Sequence, residues 1–181
     1  MASARKVVPR GAPAHRVLVP RTQAVGLMRL AEEFLDAADS ATRAGKTPNK
    51  VALYLYGHAL ELMVKAVLVC AGSDEKRLRR LGHDLSSAFR SARRQRGSLR
   101  VPLSARDYAL IGMLSPYYDA KDLEYLATGF RRYPLPRDLA ELSRRLLDQL
   151  GPAVNAFVRR WLRARSSELP AQRVPEGARR A

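Results

Sequence analysis

Apolar side chains along this chain return every three or four positions and nowhere alternate one by one. Between residues 22 and 43, Val25, Met28, Leu30, Ala31, Phe34, Leu35 and Ala38 form one such stripe, and Gly45 closes the segment. That spacing predicts a helix. Thr47-Pro48 then offers a capping residue and a first-turn proline for a second helix, which runs to Ala71 and stops at Gly72. A third helix is expected from Gly82-His83 to near Gly97, with Leu85, Ala88, Phe89 and Ala92 on one side. Ser104 and Asp107 form a capping box for a fourth, through Leu114, which Ser115-Pro116 should break. The tyrosine-rich stretch 117–133 is expected to hold one more short helix. The last long helix starts at Pro136 and carries Leu139, Leu142, Leu146, Leu150, Val154, Phe157 and Trp161, with a kink or split at Gly151-Pro152. No internal repeat is present, and the expected fold class is all-α, an antiparallel up-and-down helical bundle.

The second segment, "VALYLYGHALELMVKAVLVCAG" (51–72), is apolar almost all the way round. Its ionisable side chains decide between a buried helix and a membrane span. At helical pitch Tyr54, His58, Glu61 and Lys65 fall within about 60° of one another. A lipid-facing helix would not carry Glu and Lys mid-span without a partner. The segment therefore reads as the central helix of a bundle with one polar stripe, and no membrane span is expected. Glu61 and Lys65 stand four apart in the favoured order, an exposed salt bridge at the least. On so apolar a helix, the stripe of Tyr54, His58, Glu61 and Lys65 is also placed to line a groove or an interface. Cys70 reads as a buried small apolar residue.

Composition narrows the class. The 181 residues suffice for one domain with a real core. With 46% apolar but only 7% aromatic residues, that core must be built of Leu, Ala and Val, which favours helices. One cysteine excludes an intrachain disulfide, and with three scattered histidines (His15, His58, His83) no metal or other cofactor is expected. Single-cysteine usage fits a reducing, cytoplasmic setting.

Charge adds more than composition does. The net charge is +16, and it is unevenly placed: +5 over residues 1–21, +8 over 76–100 and +3 over 163–181, leaving the rest neutral. The chain accordingly divides into a disordered basic arm (1–20), a helical bundle (21–165) and a disordered tail (166–181). An organelle transit peptide would share the arginines of the arm, but its prolines disfavour the amphipathic helix. In the internal segment, Arg90, Arg93 and Arg94 lie within about 100° of arc, opposite the apolar side. Lys76, Arg77, Arg79 and Arg80 precede them. Guanidinium forks match phosphate bidentately, so RNA is the expected partner. An anionic membrane is disfavoured, because that helix offers mostly Ala, Leu and one Phe on its apolar side. "GFRRYP" (129–134) joins Arg131, Arg132 and Tyr133 to the upstream Tyr117, Tyr118 and Tyr125. Such pairing either stacks on unpaired bases or closes the end of the bundle. His83 and Asp84 open the basic segment, either as an entry turn with a first-turn acid or as a proton-transfer group beside a phosphodiester.

"YLYGHALELMVKAVLVCAG", "LRRLGHDLSSAF" and "FRRYP", taken together over residues 22–162, resemble the prokaryotic HEPN domain family. Glu61 and Lys65 match an E-x3-K pattern of several HEPN groups, and Gly82 to Leu85 match a recurring G-H-D-L step. The resemblance implies an α-helical bundle that forms a homodimer. It also implies either of two functions. One is a metal-independent endoribonuclease of toxin–antitoxin, defence or RNA-processing systems, with its R-x4-6-H site contributed by both protomers. The other is a non-catalytic module that docks a partner protein such as a nucleotidyltransferase, here through the Tyr54–Lys65 stripe and the arginine face. Arg77 and His83 satisfy the motif's spacing, with Leu78 where enzymatic members usually place a polar residue and Gly82 inside the spacer. On the enzymatic reading His83 is the general acid/base, Arg77 or Arg79 holds the phosphate, and Glu61 and Lys65 orient the site.

Overall fold

The computed structural model describes residues 15–44, 49–125 and 130–167. The expected arm up to residue 14, the Gly45 stop, Thr47-Pro48 and the tail from residue 168 lie outside the described residues, as does 126–129.

Small apolar side chains set the first helix, α1 (His15–Ala44). It buries Ala24, Met28, Ala31, Leu35 and Ala38, a four-three-four-three spacing that keeps one narrow seam against its neighbours. Val25 and Leu30 fall beside that seam and are exposed, although the periodicity counted them in the stripe. The helix also begins at His15 rather than Thr22, so the part of the expected disordered arm from residue 15 is helical.

α2 (Lys50–Cys70) is capped by Asn49, whose side-chain oxygen accepts from the Ala52 N–H. The Asn49 amide also donates to the Ala41 carbonyl at 2.7 Å, closing the α1–α2 hairpin. Asn49 stands one residue before the helix, from where its side chain reaches the third free N–H. The chain leaves α2 at Ala71, and Gly72 follows with φ 89°. α2 has the length and hydropathy of a membrane span, and in the bundle it is largely buried, by α1, α4 (Leu85–Ala92), α5 (Ala105–Asp119) and α6 (Pro136–Ser166).

Pro116, expected to break its helix, sits inside α5, and Pro152, expected to kink or split its helix, sits inside an unsplit α6. Both are exposed, and so are Gly112 and Asp148, whose carbonyls lose their helical partners. On a solvent face, water can take up such a carbonyl, which removes most of the reason for a break. α5 does start at the expected capping box, with the Ser104 and Asp107 bonds both present. It continues through Tyr117 and Tyr118 to Asp119, and among the described residues of 120–133 turns replace the short helix expected there.

The third expected helix divides at Gly82. α3 (Glu75–Leu81), unforeseen, is capped by Asp74 and ends at Gly82, with φ 55°. α4 follows, with Leu85, Ala88, Phe89 and Ala92 buried as expected.

Polar clamps fix how the long helices run. Arg144 of α6 binds Asp36 at 2.5 Å and Asp39 at 2.6 Å, and Asp39 also accepts from the Tyr56 hydroxyl at 2.7 Å. Burial and the Asp39 bond push the Tyr56 phenol up to about 12. At the other end the Arg21 guanidinium lies 5.4 Å from the Trp161 ring centroid. α1 is thus antiparallel to both α2 and α6. The described residues form an all-α bundle around α2.

Candidate functional site

α2 turns its polar stripe inward. Glu61 is 3% exposed in the centre of that helix, and a bare carboxylate at such a position would be costly. Three donors answer it. Lys65, one turn on, bonds Oε1, while Oε2 accepts from the Tyr118 hydroxyl at 2.6 Å and from His83 Nδ1 at 3.0 Å. Burial alone would raise the Glu61 carboxyl, but the bonds from Lys65, Tyr118 and His83 outweigh it and hold the group below the usual carboxylate range. Glu61 is therefore ionised and accepts only. The proton of the His83 contact lies on Nδ1, and the Nε2 edge of that ring is left to act.

Tyr118 extends the network. Its single hydroxyl proton goes to Glu61, so its oxygen accepts from His58 Nδ1 at 2.8 Å. His58 Nδ1 also lies 3.8 Å from Glu61 Oε2. Burial, followed by the bond to Glu61, pushes the Tyr118 phenol far above its ordinary value, so it stays a donor. Burial lowers His58; Glu61 opposes that, and the nearby His83 and Lys65 reinforce it. The ring is held by Phe34, edge-on at 4.3 Å, and by Tyr54, stacked at 6.1 Å.

Each residue of the G-H-D-L step has a separate local task. Gly82 takes the left-handed backbone that ends α3. His83 reaches Glu61. Asp84 caps α4 by accepting from the Ser87 N–H at 2.9 Å, and Ser115 of α5 donates to it at 3.3 Å. Burial opposes its ionisation, but the Ser87 and Ser115 bonds and the charge of Arg90 prevail and lower its pKa. Leu85 is fully buried. The entry-turn reading thus describes Gly82 and Asp84, while His83 faces the carboxylate.

Of the expected site residues, the fold brings together Glu61, Lys65, His83, His58 and Tyr54, all from one chain. Arg77 stays apart. It is exposed, on the far side of the Gly82 turn, and no hydrogen bond or ion pair joins its side chain to His83 or Glu61. Within the stripe Glu61 meets Tyr118 and His83, while Tyr54, His58 and Lys65 stay half-buried. Sequence reasoning grouped Tyr118 with the aromatics of 117–133 and not with Glu61, and it passed over Gly57. A Cβ on Gly57 would stand 2.7 Å from Tyr118 Cδ2, so the bare helix surface is what admits the tyrosine ring. The available signal was Tyr118's place on the apolar seam Ile111, Leu114, Tyr118, where a buried hydroxyl demands a partner.

The basic side chains of residues 76–100 flank His83 in the chain, on α3, on α4 and just beyond it. Lys76, Arg77, Arg79, Arg80, Arg90, Arg93, Arg94, Arg96 and Arg100 are all exposed. Among the described residues Arg79 alone of these is in a salt bridge, with Glu75 at 2.6 Å. Arg93 and Arg94 lie just past the end of α4, Arg93 with its guanidinium 5.4 Å from the Tyr108 ring centroid. The second basic and aromatic group divides. Arg131 pairs with Asp122 at 3.4 Å and lies over Tyr117, whose ring packs on the half-buried Tyr133 at 4.8 Å. Arg132 is exposed, and its N–H donates to the Tyr117 hydroxyl at 3.3 Å. Tyr117 and Tyr133 are half-buried and pack against the core, and Tyr125 remains exposed. Among the described residues no three His, Cys, Asp or Glu side chains group as a metal site would require.

No protein family, curated protein or solved structure matches this chain.

Proposed function

We propose that this protein binds RNA through its arginine surface and cleaves it at His83 without a metal. The observation that carries the reading is the buried Glu61 carboxylate bonded to His83 Nδ1 at 3.0 Å. A histidine seated in this way has one tautomer and one orientation. Its Nε2 is left to take or give a proton, and its side chain remains 44% exposed. Exposed guanidinium groups on the same chain would bind the phosphates and offset charge developing on the non-bridging oxygens. The resemblance to HEPN domains agrees with this chemistry: Glu61 orients the histidine as that reading expects, Tyr118 packs on its ring, and Arg77 or Arg79 is the side chain left to hold the phosphate.

Single-stranded RNA incubated with the protein in EDTA tests both halves. The expected result is cleavage to fragments ending in 2′,3′-cyclic phosphate, abolished by His83→Ala. RNA affinity should fall steeply with salt, and the triple change Arg90→Ala, Arg93→Ala, Arg94→Ala should flatten that slope by about three units. Identical RNA patterns with wild type and His83→Ala would end the cleavage reading. Affinity indifferent to salt would end the phosphate-binding reading and favour a protein partner.

A further inference from the structure

We propose that His58 is the second proton-transfer residue of this site, the general base that activates the RNA 2′-hydroxyl, with His83 as the general acid for the leaving group. The proposal rests on the cleavage reading above and adds a residue and a division of labour to it.

Metal-free cleavage of a phosphodiester moves two protons. The 2′-oxygen attacks phosphorus and gives its proton to a base. The bond from phosphorus to the 5′-oxygen breaks, and that oxygen takes a proton from an acid, leaving a 2′,3′-cyclic phosphate and a free 5′-hydroxyl. In an in-line displacement the attacking and leaving oxygens stand on opposite sides of phosphorus, so two separate groups serve them best. The groups around Glu61 leave one candidate for the other. Tyr118 is a buried donor to Glu61, and Lys65 is bound to the opposite carboxylate oxygen. Asp84 is committed to the start of α4. Tyr54 is raised by burial and by the charges of Glu124 and Glu61.

His58 remains. Its Nδ1 proton is spent on Tyr118 as that of His83 is spent on Glu61, and both rings approach the same Glu61 oxygen, at 3.8 Å and 3.0 Å. Each therefore turns an Nε2 edge away from the carboxylate. Phe34 and Tyr54 hold the His58 ring in place, and its side chain keeps 24% exposure. The charged and titratable groups facing it are Glu61, Lys65 and Tyr54 from α2, Tyr118 from α5 and His83 from the α3–α4 turn; α1 contributes only the apolar Phe34. Burial, with help from the neighbouring His83 and Lys65, holds His58 below its ordinary value and so neutral, as a base must be. His83 makes the shorter contact with the carboxylate and is the more exposed of the two rings, at 44%. Two groups of one type held in different environments are the usual means of obtaining an acid and a base together.

Single-turnover cleavage by the full chain in EDTA tests the assignment, with uridylyl-adenosine and with uridine 3′-(4-nitrophenyl phosphate), whose leaving group needs no acid. His83→Ala should lose activity on the first substrate and recover much of it on the second. His58→Gln should lose about a hundredfold or more on both, together with the acidic limb of the pH profile. The glutamine amide can still donate to Tyr118, so it preserves the fold and tests the proton transfer separately; His58→Ala alone would not. Full activity of His58→Gln, an unchanged acidic limb, or rescue by the activated leaving group would overturn the assignment while leaving cleavage intact. A wild-type protein inert to both substrates would overturn the cleavage reading and this proposal with it.

Discussion

Replacing Glu61 by glutamine tests the network at its centre. The carboxylate receives Lys65, Tyr118 and His83 while only 3% exposed. Glutamine keeps the shape but has one acceptor oxygen, and its amide NH2 must face either Lys65 or the Tyr118–His83 pair. In both orientations a donor meets a donor. Removing one partner of a fully buried ion pair costs about 3–5 kcal/mol. Two reliefs lower that figure here. The Lys65 side chain is 20% exposed and can turn to water, and the Tyr118 hydroxyl can donate to His58 if that ring adopts its other tautomer. One buried donor left unmatched, plus part of a desolvated charge pair, gives an expected loss of about 2–3 kcal/mol. Urea unfolding at neutral pH, followed by far-ultraviolet circular dichroism, would show it as a midpoint lower by about 1–2 M, given ordinary denaturant slopes. A loss below about 0.5 kcal/mol would refute the reasoning, because no arrangement of buried donors around a glutamine is that cheap.

Gly57→Ala should gain about 1 kcal/mol of helix propensity and still lower the melting temperature, because its methyl group would drive into the Tyr118 ring, 2.7 Å from Cδ2; a stabilised variant would refute the contact. Acid should destabilise the fold in two steps. Glu61 and His58 both lie below their ordinary values, so the unfolded chain binds more protons, and stability is complete above those values and lost as pH falls through the folded ones. The His58 step begins below pH 6.5 and should vanish in His58→Gln, whereas the Glu61 step begins below pH 4.5 and should vanish in Glu61→Gln. A stability profile flat from neutral to acid in the wild type would contradict both.

How far the sequence can be read depends on whether a residue's role is local. Caps and glycine stops were legible where they act within one turn: Ser104 with Asp107, and Gly72 after α2. The prolines were not, because the cost of Pro116 or Pro152 depends on whether the orphaned carbonyl faces water, which is a property of the assembled bundle. α3 escaped notice because seven residues are too few for a periodic stripe, although Asp74 and the Glu75–Arg79 pair mark its start. The site divides along the same line. A glutamate and a lysine on a helix otherwise apolar all round announced that something must meet them, and the fold answers with His83 and Tyr118, contributed 22 and 57 positions further along the chain. The histidine could be suspected, since a G-H-D-L step has a recognisable form. The tyrosine was harder to single out among seven, since its one local mark is its place on the apolar seam of Ile111 and Leu114. What does distinguish it is Gly57, one helical turn before Glu61, whose missing side chain makes room for the ring. A helix-interior glycine weakens α2 by about 1 kcal/mol, so its presence beside a buried carboxylate is itself a clue. It marks the face where another helix must come close enough to donate.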